Sequence, residues 1–200
     1  MGKYRILWLV FGFLSAACAS GPQVSRVSAD TVTDLSGYWN NTDVEIVCGT
    51  LIQACLNSRR VTGTADSLGR LPVFLVGNFS NETGEHLDTS IISETMELAI
   101  FDSERAEFVA GGGIREQLRT ERQDQQGNAS EETARALGME VGADFLLTGS
   151  VKTIVDRAGG TLTRTYYVSA RLTNIETGVL LWMDQNSEIK KIIKTPRARL

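Results

Sequence analysis

The sequence predicts an α/β (α+β) fold: a small mixed β-sheet flanked by helices, with a C-terminal antiparallel hairpin. Three stretches carry that prediction. Residues 128–155, NASEETARALGMEVGADFLLTGSVKTIV, read as one helix, a glycine stop and a strand that enters the core at once. Ser130 suits the helix N-cap, Glu131 and Glu132 suit the positive end of its dipole, and Ala134, Leu137, Gly138 and Val141 fall on one apolar stripe. Gly142 supplies the left-handed stop, and Phe145-Leu146-Leu147 is the continuous apolar run of a strand covered on both faces. Val73 to Gly77, VFLVG, is a second such run, with Pro72 tolerable at its first position. Beyond the Asp156–Gly160 turn, Leu162, Tyr166, Val168, Ala170 and Leu172 share one strand face, and Thr163, Thr165, Tyr167, Ser169 and Arg171 share the other. Such alternation marks an antiparallel strand with one wet face.

The N-terminus reads as an export signal. Lys3 and Arg5 precede the apolar segment Ile6–Leu14, followed by the small residues Ser15, Ala16 and Ala17 and then Cys18. The apolar segment falls short of the roughly 20 residues that a bilayer-spanning helix needs. The arrangement resembles a bacterial lipoprotein signal over residues 1–17, cleaved before Cys18, whose thiol then carries lipid. Ser15 departs from that pattern, which has an aliphatic residue there, and ordinary signal-peptidase cleavage nearby is the alternative. Ala19 after the cysteine favours sorting to the outer membrane. Residues 18–33 lack helical or strand periodicity and read as a lipidated flexible tether, about 50 Å long when fully stretched.

The globular body is expected over residues 34–194, with a basic tail at 195–200. Asp34–Asn40, DLSGYWN, leads in, anchored by Leu35 and Trp39. Thr42 and Glu45 have the spacing of a capping box, and Val44, Val47, Cys48, Leu51 and Cys55 form the stripe of the helix behind it. Cysteines seven apart on a helix are too distant to bridge, so both are expected in the core as small hydrophobes. A polar loop, Asn78–Thr89, follows the first strand. A second amphipathic helix spans Asp88–Ile100, with Ile91, Ile92, Met96, Leu98 and Ala99 turned inward. An edge strand at Glu107–Ala110 and the turn Gly111–Gly113 lead to the helix Ile114–Gln126, polar nearly all round: a solvated arm, or a surface turned to a partner. After the long hairpin, Asn174–Gly178 turns the chain into a last strand, Val179–Ile189, and Lys190, Lys191, Lys194, Arg197 and Arg199 read as solvated charge.

Chemistry is sparse. The 200 residues carry a formal charge of −4, which disfavours the clustered cationic surface of sequence-independent nucleic-acid binding. The single histidine, His86, and the spacing of Cys18, Cys48 and Cys55 offer no metal-ligand pattern, and no phosphate loop or dinucleotide fingerprint occurs. His86 has Ser80 and Asp88 near in sequence, the parts of a hydrolase base and its partners; a hydrogen-bonding or capping loop residue is the plainer reading. The expectation is a protein with no catalytic residues, no cofactor, no metal and no small-molecule substrate.

Four blocks together are similar to the LpoB family of lipoprotein activators of class A penicillin-binding proteins: DLSGYWN at 34–40, NETGEHLDT at 81–89, RQDQQGNASEETARALGMEVGADFLLTGSV at 122–151 and LTNIETGVLLW at 172–182. The resemblance implies a small mixed sheet flanked by helices, an outer-membrane lipid anchor on the periplasmic side, and docking onto a peptidoglycan synthase whose glycan polymerisation and crosslinking it stimulates. The tether here is shorter than the long Pro-rich one of that family. The expected contact surface is the helix end Arg122, Asp124, Gln125 and Gln126 with the loop residues Glu85 and His86. A structural subunit of a curli-type secretion assembly is the alternative, because the GADFLLTGSV unit resembles that channel's periplasmic domain. The chain shows no spare segments for membrane-spanning hairpins.

Overall fold

The computed structural model describes residues 36–108 and 142–194, together with Ser28, Thr31, Asp34, Arg135 and Met139. Residues 1–32 form a unit of their own, and the body begins at Thr33. Within the body the described elements are α1 (Asn41–Leu56), α2 (Arg59–Leu68), β1 (Val73–Asn81), α3 (Ser90–Asp102), β2 (Glu107–Phe108), β3 (Phe145–Ala158), β4 (Thr161–Asn174), β5 (Leu180–Asn186) and β6 (Lys190–Lys194). The sheet runs β2-β1-β3-β4-β5, and β6 pairs with β4 as well. β1 lies parallel to both β2 and β3, whereas β4 is antiparallel to β3, β5 and β6. The mixed sheet and flanking helices match the expected class.

α1 and α3 cover one face of the sheet. Val44, Val47, Cys48, Leu51 and Cys55 recur at helical spacing along α1 and are buried, as the stripe predicts, and Ile52 is buried beside them. They join Ile92, Met96 and Ile100 of α3 in one core with Phe74, Phe79, Phe145, Leu147, Val151, Val168 and Leu172 from the sheet. Phe74 and Phe145 meet edge to face at 5.3 Å. On the opposite face, Leu75, Leu146, Ala143 and Ile175 form a smaller cluster. The apolar run of β3 is therefore buried on both sides.

Several local expectations are corrected. The capping box of α1 is Asn40–Asp43 rather than Thr42–Glu45: the Asp43 N–H donates to Asn40 Oδ1, and the Asn40 N–H donates to Asp43 Oδ2. Asp43 is also buried against Lys191, so a tertiary contact selects the earlier of two overlapping signals. α3 buries Ile92, Met96 and Ile100 and leaves Ile91 and Leu98 half exposed or more, at 50% and 59%. Ile91 and Leu98 are seven apart and so share a stripe of their own, turned away from the core. β1 continues past Gly77 through an irregularity between Val76 and Phe79, which returns Phe79 to the core. The expected last strand divides: Asn186 Oδ1 accepts the Glu188 N–H, and β6 then pairs with the first half of β4. Lys190, Lys191 and Lys194 belong to that strand rather than to a solvated tail, and Lys191 is buried. α2 is an element the sequence did not announce. It is polar, buries only Val61 and stops at Gly69 with φ +65°.

Gly142 adopts φ +74°, as a helix stop requires, and β3 and β4 are joined by the two-residue turn Gly159-Gly160 with φ +55° and +83°. Residues 114–126, most of 128–141 and 195–200 lie outside the described residues, as do Cys18 and Leu35.

Candidate docking surface

The lead-in segment is clasped to the body at two charged nodes. In the first, Lys191 Nζ reaches Asp43 Oδ2 at 2.6 Å, Asp34 Oδ1 at 2.8 Å and the Tyr38 carbonyl at 2.9 Å. The Asp34 carboxyl is held below its ordinary pKa, chiefly by the hydrogen bond from Lys191. The second node is built on Arg164. Its Nε lies 2.8 Å from Glu85 Oε1, its Nη1 donates to the Gly37 carbonyl, and its guanidinium stacks 4.3 Å over the Tyr38 ring. Tyr166 donates its hydroxyl to Glu85 at 2.7 Å, and its ring meets Trp39 edge-on at 5.1 Å. Burial, reinforced by that carboxylate, pushes the Tyr166 phenol up. Trp39 is thus the anchor that the sequence suggests. Gly37 lets the lead-in lie close to β6: a Cβ there would meet the Ile193 side chain, which would have to shift.

The loop after β1 is stiffened by its own polar side chains. Asn81 Oδ1 accepts the Thr83 N–H at 3.0 Å, Asn81 Nδ2 donates to the Glu85 carbonyl at 2.8 Å, and Thr83 Oγ1 accepts the Glu85 N–H at 3.0 Å. Of the two loop residues singled out for partner contact, His86 is exposed. The Glu85 carboxylate instead turns inward onto Arg164 and Tyr166, with its side chain 11% exposed. The loop therefore presents His86 from a platform that Glu85 holds in place. Arg122, Asp124, Gln125 and Gln126 lie outside the described residues.

The Ser80–His86–Asp88 trio is not assembled into a relay. Asp88 Oδ1 accepts from the Ser90 N–H and hydroxyl at 3.1 and 2.7 Å, which lowers its pKa, and Ser80 Oγ faces Glu82 Oε1 at 3.3 Å. Among the described residues no cluster of three or more His, Cys, Asp or Glu side chains could hold a metal ion. Cys48 and Cys55 are unbridged and buried, and burial pushes both thiols up to about 12.

A surface that sequence reasoning did not delimit lies on the wet face of the sheet. Ser150 and Lys152 of β3, Ser169 and Arg171 of β4, and Met183 and Gln185 of β5 line a concavity of about 370 Å³. The alternation in β4 signalled a solvated face, but its curvature comes from strand pairing that no local pattern encodes.

A family model described as peptidoglycan-synthase activator LpoB matches residues 43–188. Among solved structures, the LpoB C-terminal domain from Salmonella enterica is 16% identical, covers 76% of this chain and 99% of its own, and superposes with a TM-score of 0.52. The LpoB C-terminal domain from Escherichia coli is 18% identical, covers 72% and 96%, and gives a TM-score of 0.53. At such identity these two likenesses speak for the fold. No curated protein sequence matches the chain. With the family's pattern spanning nearly all of the body whose sheet, helices and clasped lead-in are described above, the chain belongs to the LpoB family of peptidoglycan-synthase activators.

Proposed function

We propose that this protein is a lipid-anchored accessory protein that activates a class A penicillin-binding protein by docking onto it, without performing chemistry itself. The observation that carries the reading is the family match over residues 43–188, which covers the described body apart from its lead-in, the start of α1 and the residues from 189 on. Lipid on Cys18 holds the chain to the outer membrane on its periplasmic side, and residues 18–33 give it reach. Activation follows from linkage: a protein that binds the active conformation of the synthase better than the inactive one raises the active-to-inactive ratio, at saturation, by the ratio of those affinities.

The contact surface we assign is His86 on its stiffened loop, backed by Glu85, together with Arg122, Asp124, Gln125 and Gln126. Replacing Asp124 and Gln125 by Ala weakens capture of the synthase by the full-length chain while the melting temperature stays unchanged. Undiminished capture removes that patch. Metabolic labelling with a radioactive or alkyne-bearing fatty acid tests the anchor, with incorporation expected in the natural chain and none in Cys18→Ser.

A further inference from the structure

β3 is twice partnered for only half its length. β4 pairs with it from Phe145 to Ala158, whereas β1 reaches only to Val151. At that point the Glu82 N–H donates to the Val151 carbonyl at 2.8 Å. Strand alternation then aims the N–H and C=O groups of Thr153, Val155 and Arg157 out of the same edge. No described residue pairs with them. Ile154 is 58% and Val155 52% exposed along this stretch. An open edge bearing exposed branched aliphatics is a template for another strand, and folded proteins ordinarily blunt such edges.

From this geometry we propose that the free edge of β3 is a docking surface for a second copy of this chain, the two edges pairing antiparallel about Ile154. The charges select the partner and the register. Only registers that place outward-pointing residues opposite one another can form a ladder. In the register centred on Ile154, Thr153 of each copy exchanges hydrogen bonds with Val155 of the other. Ile154 meets Ile154 in a close, non-hydrogen-bonded pair, and Lys152 faces Asp156 twice, once on each side of the two-fold axis. Neighbouring registers lose this match. Centring on Val155 sets Ile154 against Asp156, centring on Thr153 sets Lys152 against Ile154, and centring on Asp156 opposes two carboxylates. The segment Lys152-Thr153-Ile154-Val155-Asp156 is thus complementary to itself in one alignment, as a closed two-fold interface requires. Lys152 already touches Glu82 at 3.1 Å, but both side chains are exposed, at 57% and 47%. That contact is weak, and an ammonium with three protons accommodates a second carboxylate.

The five-residue ladder is short, so the test traps it covalently in the full-length chain within cells. Ile154→Cys places two Cα atoms about 4.5 Å apart across the axis, inside the range of a disulfide. Arg157→Cys places them roughly 20 Å apart. After mild oxidation, Ile154→Cys is expected to give a dimer band on non-reducing gels, with Arg157→Cys no higher than the unsubstituted chain. Adding Lys152→Glu or Asp156→Lys to Ile154→Cys lowers the yield at least about three-fold, since each opposes like charges twice. Co-expressing those two variants with different tags restores the band as a mixed dimer, because every facing pair is again of opposite sign. Equal yields from Ile154→Cys and Arg157→Cys, no dimer from Ile154→Cys, or a yield indifferent to the charge swaps would each overturn the proposal. Capture of the synthase by these variants, measured alongside, reports on the activator reading separately.

Discussion

Glu85 shows how one side chain joins the loop to the lead-in segment. Its carboxylate forms an ion pair with Arg164 and accepts from the Tyr166 hydroxyl, with the two ionic side chains only 11% and 12% exposed. Glu85→Gln leaves the Arg164 guanidinium without its counter-charge in a nearly water-free site, so about 3 kcal/mol of stability is expected to be lost in urea unfolding. Tyr166→Phe removes one donor and leaves the ion pair, and its expected cost is about 1 kcal/mol. The two thiols give a second check at this scale. Thiol pKa values pushed up to about 12 by burial keep Cys48 and Cys55 protonated and screened, so a maleimide at pH 8 labels them only after denaturation. Rapid labelling of the folded chain would contradict their placement in the core. Both were legible as core residues because they fall on the α1 stripe. The inward turn of Glu85 was not, since a loop glutamate reads as solvated until the strand bearing Arg164 and Tyr166 folds beneath it.

Elements were legible where one pattern dominated and illegible where two overlapped. The apolar runs of β1 and β3 and the alternation of β4 announced buried and half-buried strands. α3 carries apolar residues on two stripes, and only packing against β1 and α1 decides that Ile92, Met96 and Ile100 go inward. α2 has neither a strong cap nor a stripe; Val61 and Leu68, seven apart before Gly69, were its faint signal. The division between β5 and β6 depends on Asn186 and on pairing with distant β4. Gly149 of β3, flanked by β1 and β4, supplies a sharp test of this packing. A Cβ on Gly149 would lie 2.2 Å from Phe79 Cε1 and 2.3 Å from the Ser169 carbonyl oxygen. Gly149→Ala is therefore expected to cost about 2 kcal/mol through overpacking, read as a lowered thermal midpoint. An unchanged midpoint would mean that the Phe79 ring does not pack over Gly149.

At the scale of the whole molecule, the Lys191 node ties the first described residue of the body, Asp34, to the last strand, so it reports on closure of the domain. Asp34 titrates below its ordinary value in the folded state because Lys191 bonds its charged form. A lowered folded pKa stabilises above the unfolded carboxylate value near 4 and is lost as pH falls through the folded value. The melting temperature is thus expected to hold steady above about pH 5 and to fall in more acid solution. In Lys191→Met the part of that slope due to Asp34 disappears, and an unaltered acid slope would place Asp34 away from Lys191. The four blocks that resemble the family were legible in order along the chain. The clasp was not, because Asp34, Asp43 and Lys191 converge only when the ends of the body meet.

The central claim is that this family member acts on a synthase rather than on a substrate of its own. Its most direct test is the initial rate of glycan polymerisation from lipid-linked precursor by a purified class A penicillin-binding protein, with and without the full-length protein. The account predicts a saturable rise in that rate, and no turnover of the precursor by this protein alone. A rate that stays flat although the two proteins bind, or turnover by this protein in the absence of the synthase, would contradict it.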